Sequence, residues 1–508
     1  MFSPMDPRTG EALGSYPISP WADVEDALVA GMRAFDELRY LGEEHLSNFL
    51  ERFADRIDRR SEQIVDVASA ETALPVHPRL ADVELPRTTD QLRQAAAAVR
   101  MRSWKRPVIS SKARIASLRE SLPGVVCVFG PNNFPLAFNS ASGGDFAAAV
   151  ATGHPIIAKA NPGHPGTTRI LAEEGNAAAM EVGLPSGFLQ LIYRTSHADG
   201  ARLVADERVA ATAYTGSRAG GLALKAAADR SGNLIYLEMS SVNPVVVLPG
   251  AWRERGQSLA EELASSLLLA AGQFCTSPGL LFVLAGPEAD EFRVALKAEF
   301  EKAPVGTLLG PSVVDALAET ASAWGASGAQ LVASAPSPDA IACAYPNSMM
   351  EVDGTGFLSA AAQLQKEAFG NLSLLIVCDG VDELYDCLDV LEGNLTGSVY
   401  SATTGEDDGA YATVARALRP RVGRLLNDKA PTGVAVVPAM NHGGPFPSTG
   451  HAGFTAVGIP ASLERFSMLQ CFDNVRDGRL PLELQADNPL GLVREVDGNW
   501  TSSPFTWG

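Results

Sequence analysis

Cysteine is scarce in this chain. Its 508 residues hold six, Cys127, Cys275, Cys343, Cys378, Cys387 and Cys471, irregularly spaced and without a Cys-x-x-Cys pair. That excludes a disulfide scaffold and points to a reducing, cytoplasmic setting. Histidine is also rare, and none of the seven forms the i,i+4 pair of a helical zinc site, so no metal is expected. Basic residues are outnumbered, 40 Lys and Arg against 59 Asp and Glu, giving a net charge of −19. Such a field repels phosphate backbones and anionic membranes, so neither nucleic acid nor a membrane surface is an expected partner. A phosphorylated small molecule stays open, because a local pocket can be cationic on an acidic protein. No apolar run approaches the ~18 residues of a membrane span. The start, MFSPMDPRTGEALGSYP, lacks the basic and apolar regions of a signal peptide. There is no fixed-period repeat and no low-complexity segment.

What is present suits a large α/β protein. Hydrophobic residues make up 46% and charged residues 19%, enough to bury sizeable cores, and the length suggests two to four domains. Residues 21–70 read as helices, with Val24, Leu28, Met32 and Phe35 at helical spacing and Phe49, Phe53, Ile57 and Ile64 continuing after a break. Residues 90–100 are an Ala-rich helix candidate. From Gly124 short apolar runs alternate with helical stretches. GVVCVFG, HPIIAKA, SGFLQLIY, RVAATAYTGS and GNLIYLEMS are separated by helices expected at 140–151, 167–181, 198–206 and 219–228. This alternation predicts a parallel sheet covered by helices on both faces. It restarts after Ser241 with NPVVVLP, a helix at 257–272, GLLFVL, LSLLIVCD, a helix at 380–392 and LTGSVYSA. Residues 105–122 and the tail after about 456 fit neither series and read as arms or an oligomerisation element.

In parallel sheets ligands bind at the carboxyl ends of strands, so the residues there are the ones to weigh. Cys275 sits in AAGQFCTSPG, in a Gly/Pro-bounded turn after a helix, where a thiolate could face a cleft. Glu238 ends LIYLE, placed to act as a general base on water. Asn133, in VFGPNNFPL, could donate to a developing oxyanion. YTGSRAGG is a strand-to-helix turn whose N–H groups could hold a pyrophosphate, although it is no G-x-G-x-x-G fingerprint. Taken singly, each has a duller reading: an inert buried thiol, a paired glutamate, a turn asparagine, a plain connection.

Their order carries more. GPNNFPL, IIAKANPGHP, YTGS, LEMSSVNP, GQFCTSPG and KEAFG resemble, in sequence, the segments that define the aldehyde dehydrogenase superfamily, and PRTGE (7–11) and the N-terminal helices also fit. The strings NFPLAFNSASGGD, PTGVAVVPAMNHGGPFPST and NPLGLVREVDG are similar to its alpha-ketoglutaric semialdehyde (2,5-dioxovalerate) dehydrogenase branch. The resemblance implies an α/β fold with two Rossmann-like parallel-sheet domains and an oligomerisation arm. Residues 1–104 and 123–240 would bind the cofactor, 241–455 would form the catalytic domain, and 105–122 with 456–508 the arm. It implies oxidation of a small aldehyde to a carboxylic acid through a cysteine thioester, with alpha-ketoglutaric semialdehyde or another aliphatic or semialdehyde substrate, NADP or NAD as cofactor, and a homodimer or homotetramer. Cys275 would be the nucleophile, Glu238 the base, and Asn133 with the Cys275 N–H the oxyanion donors. Lys159 would contact the adenosine ribose, Gly216 and Ser217 the pyrophosphate, Glu367 the nicotinamide ribose, and Phe369 would pack beside the nicotinamide.

Three positions depart from the wider pattern. Pro162 replaces a glutamate that clamps the ribose, so a 2′-phosphate is not repelled, and Arg218 is a candidate to pair with one. Ser142 stands where many members have lysine, and Ser277-Pro278 replaces a Gly-Gly. Arg169 and Arg424 are candidates for a substrate carboxylate. An acylating enzyme fits less well, since Glu238 is retained. A non-catalytic paralogue that keeps the fold for binding is the reading from another class, and the joint presence of Cys275, Glu238 and Asn133 opposes it.

Overall fold

The computed structural model describes residues 1–336 and 340–508. Among these residues the strands form three sheets. The first is all parallel, in the order Leu189–Ile192, Ile156–Lys159, Val125–Phe129, Val209–Thr215, Leu234–Glu238. Its strands are near-continuous apolar runs because both faces are covered. Successive side chains point to opposite faces. Thus Val126 and Val128 enter one core with helices Glu44–Arg59, Leu85–Met101 and Gly144–Ala151. Val125, Cys127 and Phe129 enter another with helices Trp21–Leu38 and His197–Val204. The chain leaves the central strand Val125–Phe129 to one side first and to the other later, which opens a crevice at the strands' carboxyl ends.

The second sheet has seven strands, ordered Gln330–Ser334, Ser348–Asp353, Leu372–Cys378, Leu280–Leu284, Val245–Val247, Asn394–Tyr400, Val422–Asn427. Only the edge strand Gln330–Ser334 is antiparallel. Val246 and Phe282 face one core, and Val245, Val247, Leu281 and Val283 the other. Val434, Val436, Met440, Phe454 and Phe466 return to pack on the first sheet's core.

The two segments that fit no alternation meet in the third sheet. Ile115–Ser121 pairs antiparallel with Ser467–Asp473, and Val108–Ser110 pairs parallel with Arg494–Val496. Their small core holds Ile109, Leu118, Leu480 and Leu484.

Expected helices appear with shifted ends, and one shift matters. The helix expected over 257–272 stops at Leu268. Ala270, Ala271 and Gly272 follow at φ 49°, 53° and 70°, left-handed conformations that cost an L-residue about 1–2 kcal/mol each. Tertiary contact overrides alanine's helix preference here. A Cβ on Gly272 would run into the backbone of Gly370. The turn before Cys275 and the KEAFG turn therefore lie back to back, through a glycine on each side. Gly272→Ala is expected to cost about 2 kcal/mol or more from strain and overpacking together. Thermal unfolding and turnover check this; an unchanged midpoint with an unchanged rate would refute the close approach. Among the described residues no helix is long and apolar enough to cross a membrane.

Candidate active site

The first sheet delivers Asn133, Gly216, Ser217 and Glu238 to one place, whereas Lys159 lines neither the cavity nor the groove found there. Asn133 follows Phe129, Lys159 ends its strand, Gly216 and Ser217 follow Thr215, and Glu238 ends Leu234–Glu238. From the second unit come Cys275, before the strand Leu280–Leu284, and Glu367 and Phe369, before Leu372–Cys378. Asn133, Gly216, Ser217, Glu238, Cys275, Glu367 and Phe369 line a single cavity of about 230 Å³. It adjoins a groove of about 450 Å³ that shares Ser217 and Glu367.

Each of these groups is held. Asn133 Nδ2 donates to the Gln273 carbonyl at 2.8 Å, tying the asparagine to the cysteine turn. An amide has two N–H donors, so the second is free for a ligand. The Asn133–Ala137 loop is anchored by buried Glu84, which accepts from Leu136 N–H at 2.8 Å and Ala137 N–H at 3.0 Å. Arg79 pairs with Glu84, donates to the Asn133 carbonyl at 3.1 Å and lies over the Phe134 ring. Asn243 Nδ2 donates to the carbonyls of Cys275 and Ser277, 2.9 Å each, and Ser277 Oγ accepts from Phe274 N–H at 3.2 Å. Ser277 thus builds the nucleophile turn. Ser142 is buried and donates to the Leu136 carbonyl, so it does not stand in the cleft as a lysine would.

A residue without an assigned role on sequence grounds completes the centre. His442 Nε2 lies 3.4 Å from Cys275 Sγ and 2.9 Å from Glu238 Oε1. With Glu238 ionised, that nitrogen is best satisfied by carrying a hydrogen toward the carboxylate. Glu238 Oε2 is buried and has no hydrogen-bond partner among the described residues. Burial raises the Cys275 thiol well above its ordinary range, and the Glu238 charge raises it further, while Arg87 opposes the shift. The Cys275 sulfur, a Glu238 carboxylate oxygen and a His442 ring nitrogen all lie within 4.8 Å of one another.

The groove has groups that could hold a dinucleotide. Ser217 caps the helix Arg218–Ser231, its Oγ accepting from Gly220 N–H. That leaves N–H groups of a 14-residue helix start at the groove, which could hold a pyrophosphate. A Cβ on Gly216 would come within 2.7 Å of the Tyr214 hydroxyl, so the turn admits only glycine without rearrangement. Burial pushes Lys159 down to about 8, with Arg194 adding a second positive charge beside it. Burial pushes Glu367 up to about 7, and its Oε1 accepts from Ser241 N–H at 3.2 Å.

Three arginines stand differently from expectation. Arg218 pairs with Glu392 at 2.6 Å rather than standing free for a phosphate. Arg169 is half exposed, 3.7 Å from Glu173 and over Tyr16, and lines neither cavity. Arg424 donates to the Pro431 and Gly433 carbonyls. Both of its Nη atoms are spent on the loop carrying those carbonyls, leaving a shielded Nε without a partner among the described residues, while Arg169 lies at the surface beside Glu173.

Residues 1–444 match the Aldehyde dehydrogenase family. The chain is 37% identical to alpha-ketoglutaric semialdehyde dehydrogenase 2 of Azospirillum brasilense, over 97% of this chain and 95% of that one. Its fold superposes on PnpE in complex with nicotinamide adenine dinucleotide with a TM-score of 0.79, at 21% identity and covering 94% and 95% of the two chains. It also superposes on glyceraldehyde-3-phosphate dehydrogenase GapN from Methanocaldococcus jannaschii complexed with NADP, with a TM-score of 0.77, at 19% identity and 93% and 98% coverage. The chain belongs to the aldehyde dehydrogenase family. It is an oxidoreductase that acts on an aldehyde and uses NAD(P).

Proposed function

We propose that the chain oxidises alpha-ketoglutaric semialdehyde to 2-oxoglutarate through a thioester on Cys275. The observation that carries the reading is one cavity holding Cys275, Asn133 and Glu238 together. The Azospirillum relative's name supports the substrate.

The thiol, raised by burial, is protonated near neutrality, so its addition to the carbonyl carbon needs a proton acceptor in contact. The Glu238 carboxylate, held by His442 and with its Oε2 unpartnered among the described residues, serves. The alkoxide that forms faces the second Asn133 N–H and the Cys275 backbone N–H, which makes no hydrogen bond among the described residues. One such donor lowers the barrier by about 3 kcal/mol. Bound NAD(P) supplies the acceptor for the hydride that the adduct loses. Glu238 then takes a proton from water, the water oxygen attacks the thioester carbon, and the acid leaves as the Cys275 sulfur recovers a proton. One hard oxidation becomes addition, hydride loss and hydrolysis. Aldehyde, water and oxidised cofactor balance acid, reduced cofactor and a proton.

Lys159, Gly216 and Ser217 hold the adenosine half of the cofactor, and Glu367 and Phe369 the nicotinamide half. Two adjacent cations, Lys159 and Arg194, with proline at 162, favour acceptance of a 2′-phosphate. Residues 1–104 and 123–240 act as the cofactor-binding domain, 241–455 as the catalytic domain, and the third sheet as an assembly arm. Leu469, Val493 and Trp500 are exposed on that arm at 63%, 65% and 66%, which supports a homodimer or homotetramer. The six free cysteines support a cytoplasmic setting. Assays of NAD and NADP reduction against an aldehyde panel test the function. We expect alpha-ketoglutaric semialdehyde to give the highest kcat/KM and NADP to serve at least as well as NAD. A neutral aldehyde preferred tenfold would overturn the substrate, and activity with NAD alone the cofactor reading.

A further inference from the structure

Phe134 and Phe274, the chain neighbours of Asn133 and Cys275, line a second cavity of about 360 Å³. None of the cofactor-side residues Ser217, Glu367 and Phe369 lines it. Their rings meet edge to face at 5.2 Å between centroids. Val83, Val434 and Val436 supply further apolar wall, and Arg79, Glu84, Arg87 and Asp90 the charge. Three of these four charges are committed. Arg79 and Glu84 bind one another and the Asn133–Ala137 loop. Asp90 is at the exposed rim and accepts from Gln94 at 2.7 Å.

Arg87 is not committed. Its Nε reaches Gln91 only at 3.4 Å, and its Nη2, shielded from solvent, has no hydrogen-bond partner among the described residues. A shielded donor without a partner is unfavourable, and native structures seldom keep one without a ligand or water to match it. The guanidinium lies over the Phe138 ring at 5.1 Å, which fixes its plane. Cys275 and Glu238 are close enough for their charges to act on it, as are Glu84 and Arg79. An aldehyde whose carbonyl carbon sits at Cys275 Sγ can thus extend past Phe274 toward this fork. A planar guanidinium matches a carboxylate with two parallel N–H···O bonds.

We propose that this cavity is a carboxylate subsite, in which Arg87 selects aldehydes carrying an acid group at the end remote from the carbonyl. The assignment rests on the acid-semialdehyde reading above and adds the group that enforces it. Arg87 is a specificity residue; it leaves the bond-making atoms to Cys275, Asn133 and Glu238.

The test compares kcat/KM for glutarate semialdehyde and pentanal, five-carbon aldehydes that differ in a terminal carboxylate, in the full chain and in Arg87→Leu and Arg87→Lys. In the native chain the acid aldehyde should be preferred. In Arg87→Leu that ratio should fall about 10- to 100-fold, the range for charge-assisted hydrogen bonds. Arg87→Lys should keep part of it, since a point charge replaces a fork. A general loss of folding would lower both aldehydes together and leave the ratio intact. A ratio unmoved in both variants, with the native preference present, overturns the subsite and leaves the acid-semialdehyde reading standing. A native chain indifferent to the terminal carboxylate overturns that reading, and the subsite with it.

Discussion

Cys275→Ala should bind NAD(P) and yet reduce it with aldehyde at a rate lower by on the order of 10⁴-fold or more, the scale seen when a covalent nucleophile is removed. The sulfur is half-buried at the meeting of two sheets and is fixed by the Asn243 bond to its own carbonyl. Alanine fills the same turn, so the loss is chemical, not structural. Thermal unfolding and cofactor binding by fluorescence separate the two. Retention of more than about one per cent of the native rate would remove the thioester route. Of the other cysteines only Cys471 is exposed, on the third sheet, and the remaining four are buried, so none can stand in at the cavity.

Glu238→Gln should give a different failure. Amide replaces carboxylate at nearly the same volume, and in a single turnover the Cys275 proton can pass to water instead, so addition and hydride loss can still occur once. Hydrolysis then lacks its base, and general-base catalysis contributes about 10² to 10⁴-fold. Rapid mixing should show a burst near one reduced cofactor per chain, followed by slow turnover. The Glu238 charge is one cause of the raised Cys275 thiol. Removing that charge lowers the thiol pKa, so alkylation of Cys275 near neutrality should quicken as turnover collapses. A variant without burst whose labelling slows would assign Glu238 to thiol activation alone.

The strand-end residues were legible in the sequence because a parallel strand is a short apolar run and the polar residue closing it is conspicuous. Asn133, Glu238 and the Gly216–Ser217 turn fall out of that rule, and Cys275 stands out by its Gly/Pro-bounded turn. His442 does not. It lies 204 residues from Glu238 and 167 from Cys275, and no local period joins them. Its sole local signal is its place in Asn-His-Gly-Gly, a polar residue in a tight turn. Arg79, Glu84 and Arg87 were hidden for a related reason. They fall between the helical stretches read at 21–70 and 90–100, Arg79 and Glu84 in Val76–Glu84 and Arg87 at the start of Leu85–Met101, and only the folded chain brings them to the Asn133 loop. The left-handed Ala270 and Ala271 could not be foreseen, because alanine's own preference is helical. The third sheet joins strands some 350 residues apart, and its short strands carry almost no periodic signal.

Cys275 lines the first cavity, and its chain neighbour Phe274 lines the second. On one side the residues are Ser217, Glu367 and Phe369, and on the other Phe274, Val434 and Arg87. With the proposed carboxylate subsite in use, a carboxylic acid made at Cys275 departs on the Arg87 side while the spent nucleotide is still seated on the other. Release of the two products therefore need not follow a fixed order, and traffic in one passage does not have to wait for the other to clear.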